Sequence, residues 1–348
     1  MKKNHKTFVG ADLHKNFTYF VAQDKTGREI SQMKIPNDGN AFRAFFETLP
    51  HPLIVAVEST SNWAWFAGEV KACGADVIVG HAGETRAKSG TRDKTDYKDA
   101  RFLCYLVRGG LIEKQCWQAP EEVIQIRERL RAMQFFTKQK TANKNRIHSI
   151  LIRRNIRIPC KDIFCQKGRR FLRSLDLPEQ YKVSVERELG LIEIIEDMLK
   201  ADMEFCRRLA LEDELVFLLT GIPGVGLQLA CMIRYEIGDI ERFDRPEALV
   251  SYAGLVPGRK QSADTDIRTG ITKEGAFWLR WALVQAAQTV DRTKGKLSVF
   301  YWRQMRKGKN HNKAIVATAR EMLVIVFHIM SNRQGYYEPL ALSKRYAR

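Results

Sequence analysis

The sequence predicts an α/β domain over residues 1–115, a central helical region over 116–216 and a mainly helical C-terminal domain over 217–340. Three observations carry this reading. Short runs rich in β-branched and aromatic residues alternate with helical patterns only in the first third of the chain. No Gly or Pro interrupts the chain between Pro120 and Pro159, as a long helix requires. Beyond residue 217 helical patterns resume, separated by Gly-rich turns.

Taken in order, Thr7–Asp12 and Phe17–Gln23 read as strands, Asp24-Lys-Thr-Gly27 as a turn and Glu29–Ile35 as a third strand, giving an antiparallel meander. Asn40–Leu49 then reads as a helix, Leu53–Glu58 as a buried strand, Asn62–Ala72 as a helix and Asp76–Gly80 as another strand. Three strands followed by alternating helix and strand imply a mixed sheet flanked by helices. Pro120-Glu-Glu suits the first turn of a helix, where the missing N–H of proline is not needed and acids meet the positive end of the dipole. After Pro178, Leu189, Ile192, Ile195, Leu199, Cys206 and Leu209 recur at helical spacing and leave acids outside. The two runs make a helical hairpin or coiled coil, one arm basic and the other acidic. In the last third, helical patterns cover Leu227–Glu236, Glu274–Val290 and Asn312–Met330, with a Gly/Ser/Thr-rich loop from Gly254 to Thr272.

The 348 residues include 58 Lys and Arg against 40 Asp and Glu, a net charge of +18 that calls for a polyanionic partner. Its placement is uneven. Fifteen basic residues and two acids lie between Arg127 and Arg173, five and twelve between Asp176 and Glu214, and nine and one between Asp291 and Arg320. So large an excess on the first arm favours phosphate binding over a merely solvated face, with Arg153, Arg154 and Arg157 as candidate contacts. No stretch approaches the ~18–20 apolar residues of a transmembrane helix, and the first residues lack the apolar core of a signal peptide. No membrane partner is expected, and a cytoplasmic, nucleoid-associated location is. Seven scattered cysteines without a Cys-x-x-Cys pair predict neither a disulfide framework nor a zinc site.

Asp12 closes the first predicted strand, Glu58 closes a strand made otherwise of Leu, Ile, Val and Ala, and Asp96 and Asp99 lie three apart on one helix face. A carboxylate ending an apolar strand is costly unless it is exposed, paired or bound to a cation. Taken singly, each is an ordinary acid at the end of an element. Converging, they offer the hard oxygen ligands that suit Mg²⁺, and two such ions about 3.5–4 Å apart can polarise a phosphodiester and activate its nucleophile. The order of strand Asp, strand Glu and helical Asp pair after a meander resembles the ribonuclease-H fold of Holliday-junction resolvases, which implies a RuvC-like first domain. Asp93 stands outside the pair, as a supporting acid at most. His14 near Asp12 is the one histidine worth testing, and its plain reading is a surface residue.

Gly221-Ile-Pro-Gly-Val-Gly226 before a helix has the form of a helix-hairpin-helix turn. Its Gly224 and Gly226 would let amides at a helix N-terminus receive a DNA phosphate, although a simple interhelical turn uses glycine in the same way. This motif, Glu236-Ile-Gly-Asp-Ile-Glu-Arg-Phe243, Tyr252-Ala-Gly-Leu-Val-Pro257, Gln261-Ser262 and Ile271-Thr-Lys-Glu-Gly275 with Leu279-Arg280 together resemble the C-terminal domain of one family of insertion-sequence transposases. It is the IS one-ten family, whose members are also called DEDD transposases or bridge-RNA-guided recombinases. Asp12, Glu58, Asp96 and Asp99, the last two within Thr95-Asp-Tyr-Lys-Asp-Ala100, resemble its acidic tetrad. The resemblance implies that the tetrad binds Mg²⁺ and that a coiled coil joins protomers into a dimer or tetramer. It implies also that a serine, here Ser262, attacks DNA and forms a covalent phosphoserine link. A structured guide RNA would pair with double-stranded donor and target DNA, and Lys260 and Arg280 are expected nucleic-acid contacts. Ala263 follows the serine where the family commonly has Gly.

Two other readings stay open in the sequence. A structure-selective nuclease of the resolvase type would use the acids and metal without serine chemistry, and a non-catalytic nucleic-acid scaffold would use only the basic arm and the Gly-rich turn. Ser251 is the competing serine, following an apolar run that suits packing or capping. Phe277, Trp278, Trp281 and the Tyr301-Trp302 pair lie among basic residues, but their helical spacing favours core packing over stacking on bases.

Overall fold

The computed structural model describes residues 4–83, 85, 95–262 and 265–336. The chain divides into two compact units, Met1–Ala119 and Pro120–Arg348. In the first, β1 (Thr7–Leu13), β2 (Phe17–Asp24) and β3 (Glu29–Pro36) form the antiparallel meander, and β4 (Leu53–Glu58) and β5 (Asp76–Gly80) extend it in parallel, in the order β3-β2-β1-β4-β5. Helices α1 (Gly39–Glu47) and α2 (Trp63–Ala72) make the crossovers, and α3 (Asp96–Arg108) follows. Asp38 caps α1 by accepting from the Ala41 amide at 3.0 Å. Strand alternation divides the sheet between two cores. Val9, Ala11, Leu13, Val55 and Val57 meet Phe42, Phe45, Phe46 and Phe66 on one face, while Phe8, Ile54 and Ala56 meet Leu103, Leu106 and Val107 of α3 on the other. A mixed sheet with helices on both faces is consistent with the expected ribonuclease-H-like fold.

One glycine decides where α3 lies. A Cβ on Gly10 in β1 would stand 1.9 Å from the Ala100 oxygen and 2.4 Å from the Cys104 nitrogen, so helix backbone rests on strand backbone. Cys104 Sγ donates to the Phe8 carbonyl at 3.0 Å beside this contact. Gly10→Ala is expected to lower the unfolding free energy by roughly 1–3 kcal/mol, the scale of core overpacking. A urea transition with an unchanged midpoint would show that the helix does not rest on this strand.

The second unit starts with a helical hairpin. α4 (Glu121–Arg153) and α6 (Glu179–Glu212) flank α5 (Gln166–Ser174) in sequence. At the tip, Ile147, Ile150 and Leu151 pack with Phe164, Leu172, Val185, Leu189 and Ile192; at the base, Leu130 and Met133 pack with Cys206 and Leu209. The arms therefore run antiparallel, and their opposite charges meet across the seam, as in Arg129 Nε to Asp202 Oδ1 at 2.8 Å. The Pro-free run continues to Pro159, yet α4 stops at Arg153. Asn155 takes a left-handed φ of 52°, its amide donates to Ile152 and that of Ile156 to Leu151, a Schellman closure.

The rest of this unit comprises α7 (Glu214–Thr220), α8 (Leu227–Ile237), α9 (Pro246–Tyr252), α10 (Phe277–Ala287), α11 (Lys296–Arg306) and α12 (His311–Asn332) around a large core. By length and composition α12 could cross a membrane, but Ala314, Ile315, Ala319, Met322, Leu323 and Val326 lie inside this core. It is the central helix of the unit. Two guanidinium groups fasten the base of α4 to the end of α8. Arg127 donates to the Tyr235 and Glu236 carbonyls at 2.7 and 3.0 Å, and Arg131 forks onto the buried Glu236 carboxylate at 2.8 and 3.0 Å.

The segment expected to be a loop from Gly254 to Thr272 instead contains a hairpin, β6 (Pro257–Ser262) paired with β7 (Thr265–Ile271). Its strands are polar and lack the apolar alternation by which a strand is recognised. Trp278 and Trp281 pack against the core and Tyr301 is buried, as their spacing favoured, whereas Phe277 and Trp302 are exposed. Ser251 is exposed on α9 rather than packed.

Candidate active site

In the first unit the acids come from three elements. Asp12 is on β1, on the face that α3 covers, one step beyond the last paired residues Ala11 and Val57 of the β1–β4 ladder; Glu58 is the corresponding position on β4. Asp96 and Asp99 occupy the first turn of α3, whose start is fixed by the Thr95 hydroxyl accepting from the Lys98 amide at 3.3 Å. The close seat of α3 on Gly10 holds that turn over the end of β1.

His14 joins them. Its Nε2 stands 3.1 Å from Asp12 Oδ2 and 3.3 Å from Asp96 Oδ1, and among the described residues these three side chains place their ligand atoms within 4.8 Å of one another. The loop carrying His14 is held by Asn37 and Asn62, whose side-chain amides donate to its carbonyl at 2.8 and 3.1 Å. Burial raises the Asp12 carboxyl above its usual range; His14 opposes that rise, and the charges of Asp99 and Asp96 add to it. An ionised Asp12 thus lacks full compensation, which a cation would supply. The 3.1 and 3.3 Å spacings are those of the imidazole with its two carboxylate partners, and these three side chains would be the ones to hold a divalent ion. Glu58 lies outside this trio, and its carboxylate accepts from the Thr85 hydroxyl. Asp99 also lies outside it, yet is near enough to act on Asp12. Asp93 falls outside the described residues.

In the second unit, Ser262 ends β6 opposite Thr265, and Lys260 lies two positions earlier opposite Ile267. The base of this hairpin is tightly made. A Cβ on Gly254, which has a φ of 65°, would stand 2.1 Å from the Glu274 oxygen, and one on Gly275, with a φ of 98°, 2.2 Å from the Tyr252 oxygen. The half-buried Arg280 donates to the Ala253 carbonyl at 2.7 Å and so braces the same junction. Gly224 at φ 88° is pressed against the end of α10, where a Cβ would meet the Ala286 oxygen at 2.3 Å, while Gly226 is exposed and opens α8 without a side-chain cap. Arg153, Arg154 and Arg157 are exposed around the Schellman closure of α4, where cations also suit the negative end of the dipole.

A mixed sheet whose strand ends and following helix carry acids is consistent with the ribonuclease-H-like domain of a DEDD transposase. Comparison with known proteins agrees: a model of DEDD transposases of IS110 type matches residues 9–154, and the model described as the Transposase IS116/IS110/IS902 family matches residues 217–302. The chain belongs to the IS110 family of transposases. Among its relatives, the transposase for insertion sequence element IS1328 of Yersinia enterocolitica is 25% identical over 90% of this chain and 92% of its own length. The transposase for insertion sequence element IS1111A of Coxiella burnetii is 25% identical over 72% and 69%. A putative transposase of Sinorhizobium fredii, y4qE, is 28% identical over 63% of this chain, which spans about half, 54%, of that protein.

Proposed function

We propose that this chain is the transposase of an insertion sequence and cuts and rejoins DNA by attack of Ser262, with Mg²⁺ held by the acidic group. The observation that carries the reading is the cluster of Asp12, His14 and Asp96, with ligand atoms within 4.8 Å of one another, in a chain whose two parts match models of transposases. Asp12, Asp96 and His14 are the residues placed to hold a cation, and Asp99 and Glu58 complete the acidic tetrad. A serine hydroxyl is a weak nucleophile at neutral pH. A divalent metal held by these residues would supply Lewis-acid polarisation of the phosphate. Attack of the Ser262 oxygen on phosphorus forms a phosphoserine ester and releases a strand hydroxyl. The hydroxyl of the new partner strand reverses the step, so rejoining needs no ATP.

A structured guide RNA selects donor and target by base pairing, and protomers assemble through the coiled-coil region as a dimer or tetramer. Gly226 at the start of α8, Lys260 and the arginines of the α4 tip hold nucleic-acid backbone, with Gly224 shaping the turn and Arg280 bracing the serine hairpin. The test mixes purified protein and its copurified RNA with labelled donor and target DNA in Mg²⁺. Label that stays on protein through denaturing electrophoresis supports the reading; hydrolysed DNA without adduct returns it to a resolvase-type nuclease, and intact DNA to a scaffold. Neutralising Arg153, Arg154 and Arg157 should weaken binding whatever the sequence and shrink the logarithmic salt slope by up to ~0.7–0.9 for each phosphate no longer neutralised. An unchanged slope would show that this tip does not touch the backbone.

A further inference from the structure

Between α4 and α6, near the hairpin tip, a cleft of about 220 Å³ is lined by Arg146, Ser149, Arg153, Tyr181, Ser184 and Glu188. It joins three chemistries. The rim is cationic, with the exposed guanidinium groups of Arg146 and Arg153. One wall is aromatic, the half-buried Tyr181 ring, with the Arg154 guanidinium 5.5 Å from its centroid. At the inner end lies the Glu188 carboxylate, with only 5% of its side chain exposed. Arg146 Nε donates to its Oε1 at 2.7 Å, and the buried Asn143 amide, turned to donate, reaches its Oε2 at 3.2 Å. A carboxylate held by these two donors at the inner end disfavours a bare phosphate inside the cleft and favours a flat group with an N–H edge.

We propose that this cleft receives one unpaired guanine nucleotide of a single strand. Its phosphate meets Arg146 and Arg153, its base lies along Tyr181, and its donor edge points to Glu188. Guanine is the base that presents an imino and an adjacent amino donor together, the pair that a carboxylate accepts side by side. Paired in a duplex, that edge is engaged elsewhere, so the cleft selects bases that stand free of pairing. The inference rests on the nucleic-acid partner proposed above, and deepens it to one nucleotide.

The test uses the full chain and fluorescence anisotropy with labelled pentanucleotides, UUGUU, UUAUU and UUIUU with inosine, and with the DNA counterparts of the first two. The G-containing strand should bind about tenfold or more tightly than the A-containing strand, since a bidentate base contact discriminates on that scale. Inosine, which lacks the amino group, should fall between them. Glu188→Gln should remove the preference for G and leave the A-containing strand within about twofold, and Tyr181→Ala should weaken both strands about fivefold or more. Equal binding of G, inosine and A by the unaltered protein overturns the inference without any variant. So does a preference kept in Glu188→Gln whose melting curve and affinity for long duplex DNA match the parent. A matching preference in RNA and DNA assigns the cleft to either strand, and one confined to RNA assigns it to the guide. Absence of base preference in the unaltered protein, with its duplex binding intact, overturns only the cleft, whereas an unaltered protein that binds neither duplex nor single strands overturns the function itself.

Discussion

Ser262→Ala will bind RNA and DNA as the parent does and form no covalent adduct, with strand transfer falling by about 10³-fold or more, as when other enzymes lose their nucleophile. Only an oxygen is removed from the end of β6, and the hairpin is fixed elsewhere, by the crossing of Gly254 and Gly275 and the Arg280 brace. Binding should therefore survive. Ser251→Ala is the control: that residue is exposed on α9, and its backbone carbonyl, unaffected by the change, accepts from Gly254 at 2.9 Å. Ser262→Cys should keep slight activity at best, since a soft sulfur suits a Mg²⁺ site poorly. An undiminished adduct in Ser262→Ala would move the nucleophile, and Ser251 would be examined next.

Asp12→Asn should cut strand cleavage by at least about 10²-fold, the scale on which one electrostatic stabiliser is felt, while leaving the fold intact. The sign of the stability effect follows from burial. Because the fold holds the Asp12 carboxyl above its usual range, its ionisation works against folding, increasingly as pH climbs through the ordinary carboxylate range and up to the raised value. A neutral amide escapes this, so the metal-free variant at neutral pH should melt no lower than the parent. Added Mg²⁺ should raise the melting temperature of the parent more than that of Asp12→Asn. Glu58→Gln and Asp99→Asn should impair cleavage in the same direction. Full recombination by Asp12→Asn in Mg²⁺ would remove the site assignment.

The meander, the two crossover helices and the long hairpin were legible because each has a strong period or an unambiguous turn. The acids were legible for a related reason: a carboxylate closing Leu-Ile-Val-Ala-Val stands out, and so does an Asp pair at a helix start. His14 stood out only as the one histidine near Asp12 worth testing, since a histidine two residues after a strand aspartate reads plainly as a surface residue. What brings it to Asp96 is the seat of α3 on Gly10, a contact between residues about ninety positions apart in sequence. A glycine inside an otherwise apolar strand was the available signal for that close approach. The β6–β7 hairpin escaped because its sequence, Gly, Arg, Lys, Gln and Ser followed by Thr, Asp, Arg and Gly with only two isoleucines, reads as a turn-rich loop, and the α4 terminus because Asn155 ends a helix as well as a glycine does while looking like a helix-compatible residue.

The fastening of α4 by Arg127 and Arg131 has a mechanical consequence. With 33 residues the helix is a rod about 50 Å long, clamped at one end and bound to its antiparallel neighbour along its length. The clamp at Arg127 and Arg131 leaves about 36 Å of rod beyond it, so a tilt of about 5° there sweeps the far end through roughly 3 Å, more than half the helical pitch. The same leverage works in reverse. A load caught at the tip arrives at the Tyr235 and Glu236 carbonyls as torque, and the last turn of α8 is where that torque is felt first.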